Sequence, residues 1–67
     1  MKRWSFVAGP YETIEVILKD SNKDILLKNW FDPGKDPNRH YYTLDKIDAY
    51  QNDSLWKQVP EYILKEL

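Results

Sequence analysis

Few residues in this chain have the types and spacing that chemistry requires. The only histidine, His40, follows Arg39 in the run "NRHYY". An imidazole beside a guanidinium has the makings of a general base or a phosphate contact. A base needs a nucleophile within reach, and no serine or cysteine motif lies near it; cysteine is absent altogether. A loop histidine with no catalytic part is the plainer reading. Asp32, Asp36, Asp45 and Asp48 offer oxygen ligands of the kind a hard cation takes. Their spacing does not match an EF-hand loop, and Asp45 and Asp48 fall at i and i+3 on a helix surface, so a solvated acidic face accounts for them. The two glycines, Gly9 and Gly34, stand beside Pro10 and Lys35 and cannot form a phosphate-cradling loop. The expectation is a chain with no catalytic residues, no cofactor and no metal site.

What remains is aromatic. Phe, Trp and Tyr make up 15% of the chain, with three Trp and five Tyr. The elements that carry them read as strands. "YETIEVIL" alternates, with Ile14, Val16 and Leu18 on one side and Thr13, Glu15 and Ile17 on the other. "KDSNKD" is a turn with Ser21-Asn22 at its tip, and "ILLKNWF" returns. That loop sets Leu18 opposite Ile25, Val16 opposite Leu27 and Glu15 opposite Lys28, giving apolar pairs on one face and an ion pair on the other. "RWSFVA", before Gly9-Pro10, is a further strand. Placing Ala8 opposite Tyr11 sets Phe6 against Thr13 and Trp4 against Glu15. One face is then aliphatic, with Val7, Ile14, Val16, Leu18, Ile25 and Leu27. The other carries Trp4, Phe6, Tyr11, Ile17, Leu26 and Trp30, with Thr13, Glu15 and Lys28 among them.

"DPGKDPNRH", residues 32–40, reads as a loop of two successive turns, and its length makes it a candidate for binding. "YYT" offers a short fourth strand. "TLDKIDAYQ" reads as a helix capped by Thr43, with Leu44, Ile47 and Tyr50 or Gln51 turned inward. Asp53 or Ser54 opens a last helical stretch in which Trp56, Val59, Ile63 and Leu67 form a stripe. Pro60 divides it, since proline in a helix interior costs about 3 kcal/mol, and a new helix starts there. The expected fold is α+β. It comprises one domain over residues 1–67, with a three- to four-stranded antiparallel meander, curled toward a small barrel in one version, followed by two short C-terminal helices.

A chain of 67 residues buries only about 60% of its unfolded surface, and without cysteine it has neither disulfides nor thiolate zinc to reinforce it. No apolar run follows "MKRW", and no stretch reaches the roughly 18 apolar residues of a membrane span. A complete cytoplasmic chain is expected, away from membranes. Net charge is −1, which gives no general field for nucleic acid. Ala, Gly and Arg occur twice each while Lys, Asn, Asp, Ile and Tyr are plentiful. That is the bias of AT-rich coding, associated with a low-GC bacterium, its phage or a mobile element.

Helices can cover one sheet face, and the aromatic face then closes as a barrel, pairs with a second copy or meets a foreign partner. The function expected is a non-enzymatic protein-interaction module, an inhibitor or regulator of a host protein. Its partner-binding residues are Trp4, Phe6, Tyr11, Lys28, Trp30, Arg39 and His40, aromatics being the common anchors of binding hot spots. The alternative is a small nucleic-acid binder using the same aromatics with Lys2, Arg3 and Lys28. In layout, a small sheet followed by a helix resembles the small-barrel archaeal chromatin proteins. Those are strongly basic, and no motif extends the likeness to particular residues here.

Overall fold

The computed structural model describes residues 1–19, 24–32 and 34–67. Four strands, β1 (Lys2–Gly9), β2 (Glu12–Leu18), β3 (Asp24–Trp30) and β4 (Asn38–Thr43), form one antiparallel sheet in the order β1-β2-β3-β4. The sheet is an open meander with β1 and β4 at its edges, and it does not close into a barrel. Two 3₁₀ segments, Leu44–Tyr50 and Trp56–Gln58, and one four-residue helix, α1 (Glu61–Leu64), complete an α+β fold. The fourth strand is longer than "YYT" suggests, so Asn38, Arg39 and His40 belong to the sheet and not to a loop over 32–40.

The β2–β3 register is the one that complementarity predicts: Leu18↔Ile25, Val16↔Leu27 and Glu15↔Lys28. The Ser21-Asn22 turn tip lies outside the described residues. The β1–β2 register differs from expectation by one residue. Gly9 pairs with Glu12 across a Pro10-Tyr11 turn, an irregularity follows at Ala8, and beyond it Val7 meets Thr13, Phe6 meets Ile14 and Trp4 meets Val16. Proline locks φ near about −65°, which excludes the primed turns whose twist matches a two-residue hairpin. The extra residue in β1 takes up the mismatch as a bulge does. A slip of one residue moves every side chain to the other face. Trp4 and Phe6 therefore lie on the same side as Ile14, Val16, Ile25 and Leu27, and Val7 lies opposite them.

That shared side is the core. Ile14, Val16, Ile25, Leu27 and Tyr42 pack with Leu55, Trp56, Val59 and Ile63 of the C-terminal segment, and Trp4, Phe6 and Ala8 are half-buried against them. The 44–50 segment is 3₁₀ and not α. Leu44, Ile47 and Tyr50 are spaced by three, the period of a 3₁₀ turn, and all three pack on the core. Lys46, at φ −114° and ψ 24°, kinks the segment. Thr43 holds the N-cap position, yet its side chain makes no capping bond. Its hydroxyl lies 3.4 Å from that of Tyr50. Asp53 does cap: its Oδ1 accepts the N–H groups of Leu55 at 3.0 Å and Trp56 at 3.1 Å. Pro60 stands one residue ahead of α1 as its N-cap, and its carbonyl accepts from Ile63 and Leu64. The stripe of Trp56, Val59 and Ile63 is buried as its spacing implied.

Candidate interaction surface

Side chains alternate across a sheet, so the register sorts every strand residue to one face. The face away from the C-terminal segment is built of four rows, the last of them Asp24 and Thr43. Val7, Thr13 and Trp30 form the first, Ser5, Glu15, Lys28 and Arg39 the second, and Arg3, Ile17, Leu26 and Tyr41 the third. Among the described residues, the buried cluster that the C-terminal segment joins is made with the opposite side of the sheet. Even so, Ile17 is only 4% exposed and Leu26 only 9%. Both sit on the central strands β2 and β3.

Around this apolar centre the rim is exposed. Val7 is 75% exposed and Tyr41 70%. Trp30 is half-buried. Phe31, which follows it, and Tyr11, in the β1–β2 turn at the same end of the sheet, are both exposed. Charge across the face is uneven. Glu15 has the Arg3 guanidinium 4.0 Å away on one side and Lys28 opposite it on the other. Lys28 in turn stands directly opposite Arg39, two cations in one cross-strand pair, an arrangement that disfavours the sheet unless an anion meets it.

The predicted residues therefore divide. Lys28, Trp30 and Arg39 share the open face, with Tyr11 at its end. Trp4 and Phe6 fall on the covered face for the register reason above. His40, opposite Leu27, also belongs to the covered side, though it remains exposed on the edge strand. The sequence reading missed Tyr41 and misplaced Val7. The signal for Tyr41 was present in "RHYYT", where Arg39 and Tyr41 are two apart and so share a face once the strand is extended.

Behind β4 a compact aromatic cluster fixes the strand to the C-terminal segment. The Tyr42 and Tyr50 rings meet edge-on with centroids 4.8 Å apart, and Trp56 lies 5.0 Å from the first and 5.5 Å from the second. The Tyr42 hydroxyl donates to Asp53 at 3.2 Å. Burial, and then the Asp53 charge, push the Tyr42 phenol well above its usual range. The Trp56 N–H, helped by the Tyr42 hydroxyl, the Leu55 N–H and nearby His40, holds the Asp53 carboxyl below its ordinary value. Tyr50 is lowered by its hydrogen bonds with Thr43. A cavity of about 300 Å³ opens at this end of β4, lined in part by Lys19, Asp24, Tyr41, Thr43, Lys46 and Tyr50.

Elsewhere, Asn29 is buried beneath the sheet and donates to Glu12 Oε2 at 2.9 Å, while its own Oδ1 lacks a donor. The Asp32 carboxylate accepts the Gly34 N–H at 3.0 Å, a local turn bond. Among the described residues, no three His, Asp or Glu side chains converge as metal ligands would. No helix among them is long and apolar enough to cross a membrane.

No protein-family model, curated protein or solved structure matches this chain. The open face must therefore be read from its own chemistry.

Proposed function

We propose that this chain is a non-enzymatic interaction module whose open sheet face is completed by a protein partner. One observation carries the reading: exposed Val7, Tyr41 and Arg39 and half-buried Trp30 share the sheet face opposite the side that packs on the C-terminal segment. Interfaces are commonly anchored by aromatic and arginine side chains of this kind. The coding bias agrees with a small cytoplasmic regulator carried by a phage or mobile element and directed at a host protein. Self-association through the same face belongs to the same reading.

A second reading has an observation of its own. Lys28 and Arg39 stand together beside Trp30 and Tyr41, and a cationic sheet with exposed rings can stack single-stranded nucleic acid. The net charge of −1 argues against it, because phosphate contacts dominate such binding. Capture on the tagged full chain, with and without nuclease, separates the two. A protein recovered in both lysates by the native chain, and lost with Trp30→Ala/Tyr41→Ala, supports the first. Nuclease-sensitive recovery supports the second, and recovery unaffected by the double variant removes the open face from either.

A further inference from the structure

We propose that the outer edge of β4 accepts an extended acidic segment of the partner as a fifth strand. The inference rests on the open-face reading and specifies how that face is entered. One hydrogen bond reveals which way β4 points its backbone. The Thr43 N–H donates to the Tyr50 hydroxyl at 3.0 Å, so Thr43 turns its backbone away from β3. The β3–β4 register runs unbroken from Asp24↔Thr43 to Asn29↔Asn38. In an antiparallel pair, successive residues alternate between bonding the neighbour and facing out. Arg39 and Tyr41 thus also present N–H and C=O outward, while His40 and Tyr42 bond to β3. At Thr43 the outward donor is already engaged. At Arg39 and Tyr41, no backbone or side-chain group among the described residues engages it. An unpaired edge of this kind is a template for strand addition.

The residues that leave their backbone free are the same two that reach the open face, and their neighbours define the occupant. One row ends Glu15–Lys28–Arg39, with signs −, +, +. A carboxylate beside Arg39 continues that row favourably, whereas a cation there joins two others. The next row ends Ile17–Leu26–Tyr41, so the residue meeting Tyr41 is best apolar or β-branched. The occupant is an extended segment with Asp or Glu and an apolar residue two positions apart. A second copy of β4 fits less well, since it sets the Lys28–Arg39 pairs of both copies close together.

The test uses the full-length, ¹⁵N-labelled chain and a synthetic peptide of about ten residues in which Glu and Val alternate at every second position with Thr between them, so that a carboxylate and an apolar side chain two positions apart share one face. The same peptide with Lys in place of Glu, and a Glu peptide interrupted by proline, are the comparisons. The Glu peptide should bind with a Kd of about 1 mM or tighter. It should shift and protect the Arg39 and Tyr41 amides, and the Lys and proline peptides should bind about tenfold more weakly or worse. Arg39→Glu, on an exposed strand position, should reverse the Glu-over-Lys preference. Equal binding of the Lys peptide, or protection along β1 instead, overturns the proposal, as does a lack of saturable binding. Tighter binding of a thymidine decamer with a steep salt dependence overturns it in favour of nucleic acid. Shifts at Val7, Leu26 and Trp30 without amide protection in β4 remove the edge while leaving the open-face reading in place. Failure of the capture experiment removes that reading independently.

Discussion

Replacing Trp4 with alanine should destabilise this protein far more than replacing Val7, although valine is the more usual core residue. Trp4 pairs with Val16 on the covered face and is half-buried against the core, whereas Val7 pairs with Thr13 on the open face and is 75% exposed. Truncating a fully buried tryptophan costs about 3–5 kcal/mol, and half burial reduces that to about 2–3 kcal/mol. At about 0.05–0.15 kcal/mol per residue, a domain of this size holds about 3–10 kcal/mol in all. Trp4→Ala therefore removes a large share of the total, and Val7→Ala should stay within about 0.5 kcal/mol of the native chain. Urea unfolding followed by far-ultraviolet circular dichroism measures both, with equal slopes required for a valid comparison. A loss below about 1 kcal/mol at Trp4 with a larger one at Val7 would refute the register. It would return β1 to the alignment in which Trp4 stands against Glu15.

Exchanging Glu15 and Lys28 together should cost less than the sum of the single changes. A coupling of a few tenths to about 1 kcal/mol is expected for an exposed cross-strand pair, and additive singles would contradict the pairing. Asn29→Asp should destabilise the chain by about 3 kcal/mol at neutral pH, since it sets an uncompensated carboxylate beside Glu12, and the loss should shrink in acid. Asn29→Leu should remain within about 1 kcal/mol because it removes an acceptor that lacks a donor; thermal melts of the pair decide it. The Asp53 carboxyl has a depressed folded-state value, so its stabilisation is present above the ordinary carboxylate value near pH 4 and is lost as pH falls through the depressed one. Asp53→Ala should accordingly cost about 1 kcal/mol or more at pH 7. The gap to the native chain should narrow in melts taken progressively below about pH 4, and a gap independent of pH would contradict the assignment.

Much of the fold was legible because β2 and β3 alternate cleanly and their apolar and charged pairs agree in a single register. The C-terminal stripe was legible for a similar reason, with Pro60 marking the break. Two features were not. The bulge at Ala8 depends on how a Pro10-Tyr11 turn meets a twisted pair of strands, and alternation alone carries no trace of it. That one residue moved Trp4 and Phe6 from the surface to the core side and brought Val7 out. The start of β4 was hidden as well, because Asn38-Arg39-His40 has the composition of a loop and gains its strand from pairing with Leu27, Lys28 and Asn29. Tyr41 went unnoticed with it. The placement of Lys28 and Trp30 on one face could be read from the sequence because it does not depend on the β1 register.

Hydroxyl-radical footprinting most directly tests whether the open face is the binding surface. Tyr41 and Tyr62 have similar exposures, 70% and 59%, but one stands on the open face of the sheet and the other on α1. Oxidation of each is compared between the chain alone and the chain carrying its captured material. Tyr41 and Val7 should lose reactivity several-fold while Tyr62 keeps its own. Protection of Tyr62 with Tyr41 unchanged would contradict the account.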